Sequence, residues 1–177
     1  DQLDPFLALM QANPAVTQME TAPMLRGVIT RINDRPAREV AGDHWVVRGD
    51  RGITYAATPG PKTRITAGTF WPEDYTGDPQ ISFAAEEAAE IGLHLGDRMT
   101  VNILGRDITA TITSFREVDF SNAGMGFVMT LNPSALTGAP HTHIATVYAP
   151  PEAEAQILKD VTKTWPNITA IGIREAV

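Results

Sequence analysis

Between about Val40 and Pro140, glycine and proline cut the chain into short apolar runs, and this punctuation limits the possible fold more than any other feature of the sequence. Trp45 to Arg48, Ile53 to Ala57, Met99 to Leu104, Ile108 to Phe115 and Phe127 to Leu131 are too short for stable helices and rich in strand-favouring residues. Short strands at turn-punctuated spacing predict a β-rich module. One helix interrupts it, with Ser82 as the expected N-cap, Ala84 to Glu90 as the body and Gly92 as the stop. Leu95-Gly96-Asp97 then turns the chain into the strand Met99 to Leu104, and Gly105-Arg106-Asp107 reads as a tight turn into the next strand.

The two ends have a different texture. Asp4-Pro5 reads as an N-cap with proline at the first helical position, and Asn13-Pro14 ends that helix. Val16 to Ile32 reads as one long strand, with Met24, Arg26, Val28, Thr30 and Ile32 on one face and Leu25, Ile29 and Arg31 on the other. Near the C-terminus, Ile144 to Tyr148 reads as a strand. Pro150-Pro151-Glu152 opens a helix with Ala155, Ile157, Leu158 and Val161 facing inward, Trp165-Pro166-Asn167 stops it, and Ile168 to Ile173 forms a last strand. Such a half-unit cannot bury its sheet alone, so the termini are expected to pack together. The class is therefore α+β: a discontinuous α/β base of residues 1–40 and 141–177, and an inserted β-rich subdomain, 41–140, containing one helix.

Charge and cysteine content exclude several functions. The chain has 21 Asp+Glu against 14 Lys+Arg, a net charge of -7, which argues against a nucleic-acid partner. With no cysteine, disulfide scaffolds, thiolate metal sites and cysteine nucleophiles are all ruled out. No apolar run reaches the roughly 18 residues that a membrane-spanning helix needs. The sequence begins at Asp1 without a signal-peptide pattern, and is expected to be a piece of a larger protein.

Few residues suggest chemistry. His141 and His143 alternate, which on a strand puts two imidazoles on one face, but neither His44 nor His94 is spaced as a third ligand. The nucleophile-elbow, zincin and phosphate-loop motifs are absent, and Gly124-Met125-Gly126 lacks the further glycine of a dinucleotide loop. The pairs Glu73 with Asp74 and Glu117 with Asp119 read as solvated surface rather than a general acid and base. Arg48-Gly49-Asp50 matches an adhesion tripeptide but reads as a turn, and Asn167-Ile168-Thr169 is a glycosylation acceptor only by formal pattern.

The most unusual stretch is Gly68-Thr69-Phe70-Trp71-Pro72-Glu73-Asp74-Tyr75-Thr76-Gly77, where three aromatics sit among acids, proline and glycine in a loop. Either Phe70 and Trp71 plug the end of the β-rich core, or Phe70, Trp71 and Tyr75 form a contact surface for a substrate or partner. The core role is favoured for one of Phe70 and Trp71, with Tyr75 more exposed.

This loop, together with Gly42-Asp43-His44-Trp45, Arg48 to Ala56, Glu87 to Asp97, Val101-Asn102-Ile103-Leu104-Gly105, Phe115 to Phe120, Asn167 to Ile171 and Arg174-Glu175, resembles the extracytoplasmic domain of an FtsX-like ABC transporter permease. Within that group it is most similar to the permeases of the predicted lysophospholipase-linked exporter type. The resemblance covers nearly the whole chain and implies a MacB-type domain, with a porter-like α/β part nearest the membrane and a β-rich insertion beyond it. It further implies a non-enzymatic periplasmic module without cofactor, carried between transmembrane helices absent from this chain. Its parent would pair with a cytoplasmic ATP-binding subunit and relay ATP-driven motion to a lipophilic substrate or a periplasmic partner protein. No catalytic residue transfers.

The alternative from the residues themselves is a free-standing secreted domain that binds a metal or ligand, or hydrolyses a substrate, through His141 and His143. It predicts stoichiometric zinc or manganese uptake by the purified chain, lost on His141→Ala with His143→Ala. A calorimetric titration without heat of binding would remove its best support.

Overall fold

The computed structural model describes residues 3–14, 16, 18–60, 63–118, 126–136, 142–165, 168 and 170. The chain is α+β and divides into two compact units, residues 22–142 and residues 1–21 with 143–177. Residues 22–40, expected with the terminal base, fall in the larger unit.

The larger unit is built on β1 (Gln18–Ile32), whose hairpin partner β2 (Arg35–Pro36) is followed by the short helix α2 (Ala37–Ala41). The remaining strands are β3 (Arg51–Tyr55), β4 (Ile65–Gly68), β5 (Gln80–Ala84), β6 (Arg98–Ile103), β7 (Arg106–Arg116) and β8 (Met129–Leu131), with helix α3 (Ala85–Ile91) between β5 and β6. Their pairing runs β1-β3-β8-β5-β7-β6 and returns to β1, a closed ring of six strands. The β3–β8 and β5–β7 pairs are parallel and the rest antiparallel. Closure leaves these strands no free edge, which protects short β segments from pairing with other chains. β4 adds to the far end of β7, at Ser114 to Arg116.

Alternation along β7 shows what fills the ring. Ile108, Ala110, Ile112, Ser114 and Arg116 are buried, and the residues between them are not. They meet Leu25, Ile29, Ile53, Ile81, Phe83, Met99, Val101, Met129 and Leu131 in one core. Inside it, Ser114 Oγ donates to Ser82 Oγ at 2.8 Å, and Arg116 Nη2 donates to Phe127 O at 2.7 Å and Thr130 Oγ1 at 2.9 Å, while Arg116 Nη1 is buried without a hydrogen-bond partner. Burial lowers the Arg116 pKa to about 10, so the guanidinium stays charged at neutral pH.

Several local expectations are corrected. Ser82 is not a helix cap: it lies within β5, and α3 begins at Ala85 without a side-chain cap. Its hydroxyl is needed by Ser114, and the parallel β5–β7 pairing extends the strand to Ala84. Gly92 does close the helix, at φ 86°. Trp45 to Arg48 is not a strand but the 3-10 turn Trp45–Val47, because His44 Nδ1 accepts the Val46 N–H at 3.2 Å and holds the turn. On β1 the pairing register slips between Ile29 and Arg31, a β-bulge. The extra residue returns Ile32 to the buried side with Leu25 and Ile29 and leaves Arg31 exposed, the reverse of simple alternation. The β6–β7 turn is Leu104–Gly105, with Arg106 and Asp107 already in β7.

In the smaller unit, α1 (Leu3–Ala12), β9 (Thr142–Tyr148), which pairs with β1, and α4 (Pro151–Thr164) surround a second core. Met10, Ile157 and Val161 are its buried centre, and Phe6 meets Trp165 edge-on with ring centroids 5.8 Å apart. Ala153 packs against this core while Ala155 is exposed, since the inward stripe of α4 follows the i, i+4 positions 153, 157 and 161. The expected last strand lies outside the described residues except for Ile168 and Ala170, which are not in a strand.

Gly27 is where β1 is squeezed between its neighbours: a Cβ there would sit 2.6 Å from Ile53 Cδ1, 2.9 Å from Val101 Cγ1 and 3.0 Å from Ile103 Cγ1. Gly27→Ala is expected to destabilise the chain by about 1–3 kcal/mol through overpacking. Gly52→Ala, whose Cβ would have its closest neighbour at an ordinary 3.6 Å, serves as the control, within about 0.5 kcal/mol of the parent. Urea unfolding midpoints measure both, and equal midpoints for the two variants would show that the three side chains swing aside.

Candidate functional site

The aromatic loop is aimed by Gly68, the last residue of β4. Its φ is 75°, and a Cβ there would lie 2.2 Å from Thr113 O and 3.0 Å from the Ser114 Cα, so only glycine lets the chain pass this close to β7. Thr69 N then donates to Thr113 O at 3.0 Å, and the following residues fold back onto the ring. Trp71 is 4% exposed and its Nε1 donates to Ala56 O at 2.9 Å, which makes it a core residue with its polar edge satisfied. Phe70 is half-buried and tilted against Trp71, with ring centroids 3.9 Å apart.

Tyr75 is tied rather than loose. Its hydroxyl donates to Asp78 O at 2.8 Å and accepts from Gln80 Nε2 at 3.2 Å, while Gly77 lies against the phenol ring. Gln80 N in turn donates to the buried Asn132 Oδ1 at 2.8 Å. Gly68, Thr69, Phe70, Trp71, Pro72, Gln80 and Thr113 line an open depression of about 420 Å³. Among the described residues no titratable side chain lines it. Aromatic carbon, one amide and the hydroxyls of Thr69 and Thr113 equip it for contact with an apolar group bearing a hydrogen-bonding edge, not for proton transfer. Glu73 and Asp74 are exposed on the same loop.

Gln80, Thr113 and Asn132 had no signal in the sequence. They arrive from β5, β7 and the residue after β8, and only strand register brings them to the loop.

The one described cluster that resembles acid–base machinery is structural. His44 Nε2 lies 2.9 Å from Glu90 Oε1, and because Nδ1 accepts from Val46 N the ring proton is on Nε2. Trp45 stacks beside His44, and the Arg51 guanidinium lies 5.4 Å from the Trp45 centroid. Glu87, buried on α3, has its pKa raised chiefly by burial; Glu86 and Glu90 add to the shift, and its own backbone N–H and His44 oppose it. His94 closes a turn in which Asp97 Oδ2 accepts the His94 N–H at 2.8 Å. Arg48-Gly49-Asp50 is an exposed bend with Gly49 at φ 75°. Glu117 lies 3.4 Å from Arg64 on the surface. Among the described residues no three His, Asp or Glu side chains are grouped to hold a metal. His143 is exposed, while His141, Asp119, Gly124, Met125, Asn167 and Thr169 lie outside the described residues.

No family model matches the chain. Its sequence is similar to that of the uncharacterized ABC transporter permease YbbP of Escherichia coli K12, at 23% identity over 173 residues, covering 98% of this chain and 20% of that protein. The chain thus spans about a fifth of the permease that it matches. Among solved structures it is similar to a crystal structure of a domain assigned to a permease of Porphyromonas gingivalis, with 15% identity, 89% of this chain and 74% of that one covered, and a TM-score of 0.46. That superposition is too loose to define a shared fold.

The Glu87 shift has a measurable sign. Its folded pKa lies above the ordinary 4.5, so the folded state binds a proton that the unfolded state has lost, and stability falls as pH rises from about 4.5 through the raised value. Glu87→Gln should raise the unfolding midpoint at neutral pH and flatten its decline above that point. Parallel pH profiles for parent and variant would show that Glu87 carries no such penalty.

Proposed function

We propose that this chain is the periplasmic domain of an ABC transporter permease of the FtsX-like, MacB type, close to the lysophospholipase-linked exporters. The observation that carries this reading is the permease likeness over 98% of the chain, matched to only 20% of the permease. A chain of that extent is one domain of a longer membrane protein. No described helix is long and apolar enough to cross a membrane, and in this reading flanking helices outside the chain do so. The domain is non-catalytic. In this reading the smaller unit, built from both ends, is the porter-like base next to the membrane, and the strand ring is the inserted subdomain. Both relay motion that a cytoplasmic ATP-binding subunit drives through the spans. A depression lined by rings, an amide and two hydroxyls, with no titratable group among the described residues, supports contact rather than chemistry.

Phe70, Trp71 and Tyr75 have separate parts in that contact. Trp71 anchors the loop from inside, Phe70 presents the apolar wall, and Tyr75 sets Gln80 at the rim through its 3.2 Å hydrogen bond. The lipophilic substrate or periplasmic partner protein meets the Phe70 side.

The parent reading frame tests the assignment: apolar spans are expected beside Asp1 and Val177, and polar soluble sequence on both sides would sink it. Tyr75→Ala tests the loop. The chain should stay folded by circular dichroism, while transport or partner capture by the intact permease falls several-fold. Unfolding on that substitution would make Tyr75 part of the core and end the contact reading.

A further inference from the structure

β4 stands outside the closed ring. Among the described strands of the larger unit, only β4 and the two-residue β2 have a neighbour on one side alone. β2 is guarded by the charge of Arg35 and by Pro36, whereas β4 is Ile65-Thr66-Ala67-Gly68, without a charge or a proline. Its hydrogen bonds show which peptide groups are spare. Arg64 O accepts the Glu117 N–H at 3.0 Å and Thr69 N donates to Thr113 O at 3.0 Å, so residues 64 and 69 face β7. Peptide groups alternate in direction along an antiparallel strand, and β4 has one bulge, between Ile65 and Ala67. Those of Ile65 and Gly68 therefore point away from β7, to the open edge.

The edge runs into the depression beside the aromatic loop, because Gly68 belongs to both. Without a side chain, Gly68 leaves the way between them open. Exposed Leu95 adds an apolar neighbour, its Cδ2 3.1 Å from where a Gly68 Cβ would lie. After Pro72 the chain turns, with Tyr75 N donating to Pro72 O at 3.0 Å. The tip of that turn carries Glu73 and Asp74, exposed and without an ion pair among the described residues. Arg64, at the other end of the edge, is already paired with Glu117.

We propose that β4 is a docking edge for an extended, cationic segment of a partner protein. The segment adds to the sheet as a further strand, sets an apolar side chain into the depression and brings a lysine or arginine to Glu73 and Asp74. Only a polypeptide offers N–H and C=O groups at strand spacing to Ile65 and Gly68; a lipid or a small solute leaves them unused. An added strand lies about 4.8 Å from β4, which brings the residue opposite Gly68 within a side chain's reach of the depression. Charge selects the sign of the segment and opposes a second copy of this chain, because each copy carries -7. The proposal rests on the contact reading of the depression and names its partner.

The probe is the fluorescein-labelled peptide Thr-Lys-Thr-Phe-Thr-Lys-Thr, read by fluorescence anisotropy with the purified chain. Saturable binding is expected. N-methylation of the lysines and phenylalanine blocks one edge of the peptide, and N-methylation of the inner threonines blocks the other; one pattern should weaken binding roughly tenfold and the other little. Ile65→Pro removes the outward N–H and none of the bonds to β7, and should lower binding several-fold at a urea midpoint close to the parent's. Where that variant does not fold, the two methylated peptides decide the matter on the unchanged chain. Glu73→Gln with Asp74→Asn should weaken binding about threefold and remove most of its salt dependence. No saturable binding, an equal effect of the two methylation patterns, or uptake of oleate in place of the peptide would overturn the proposal, as would a dimer in sedimentation that Ile65→Pro dissociates. Apolar spans found beside Asp1 and Val177 without peptide binding would remove the docking edge and leave the permease reading. Soluble flanks with peptide binding intact would do the opposite.

Discussion

Ring closure around β1 is the constraint on which the larger unit depends. This one strand pairs with β3 on one side and β6 on the other, and so closes the run β3-β8-β5-β7-β6 into a ring. Its inner face meets both neighbours at Gly27, where side chains of Ile53, Val101 and Ile103 converge on the space that a Cβ would need. A larger residue would push β3 or β6 away and open the ring. The bulge at Thr30 has a second effect: it adds twist where β1 must keep pace with β6, and returns Ile32 to the core.

The candidate contact site follows from β7, the longest strand wholly within the ring unit. Its first half pairs with β6 and its second half with β5, and β4 joins its far end. Gly68 lets the chain leave β4 against the β7 backbone, and that close passage seats Trp71 in the core and leaves Phe70 half-exposed above it. The same register places Gln80 and Thr113 at the rim, with Thr113 Oγ1 3.4 Å from Gln80 Oε1. The loop is held at one end by Thr69 N donating to Thr113 O and at the other by Gln80 N donating to Asn132 Oδ1. Among the described residues the site's lining has no titratable side chain.

Electrostatics inside the ring is sparing. Arg116 is buried on backbone and hydroxyl oxygens instead of a carboxylate, so it fastens the segment before β8 without an ion pair. The His44 and Glu90 contact likewise serves the turn at Trp45–Val47, with the imidazole accepting a backbone N–H on its other nitrogen. Ion pairs lie outside the ring, as at Arg64 with Glu117, 3.4 Å apart on the surface.

Sequence determined what depends on short-range chemistry. Proline and glycine marked the ends of α1, α3 and α4, the β6–β7 hairpin was legible from its flanking apolar runs, and the aromatic loop stood out by composition. Indole burial made one of Phe70 and Trp71 a core residue in advance, since an aromatic ring beside a strand end is worth more inside than outside. Tertiary structure decided the rest, because it depends on contacts between residues 30 to 70 positions apart, such as Ser82 with Ser114 and Thr30 with Thr100. Ser82 reads as a cap until β7 arrives to claim its hydroxyl. Ile32 reads as sharing a face with Met24 and Arg26 until a bulge, specified by pairing with β6 and by no residue of its own, turns it to the side of Leu25 and Ile29. Ring closure and the Gln80 and Thr113 rim are both consequences of register, and register is set only when the strands meet.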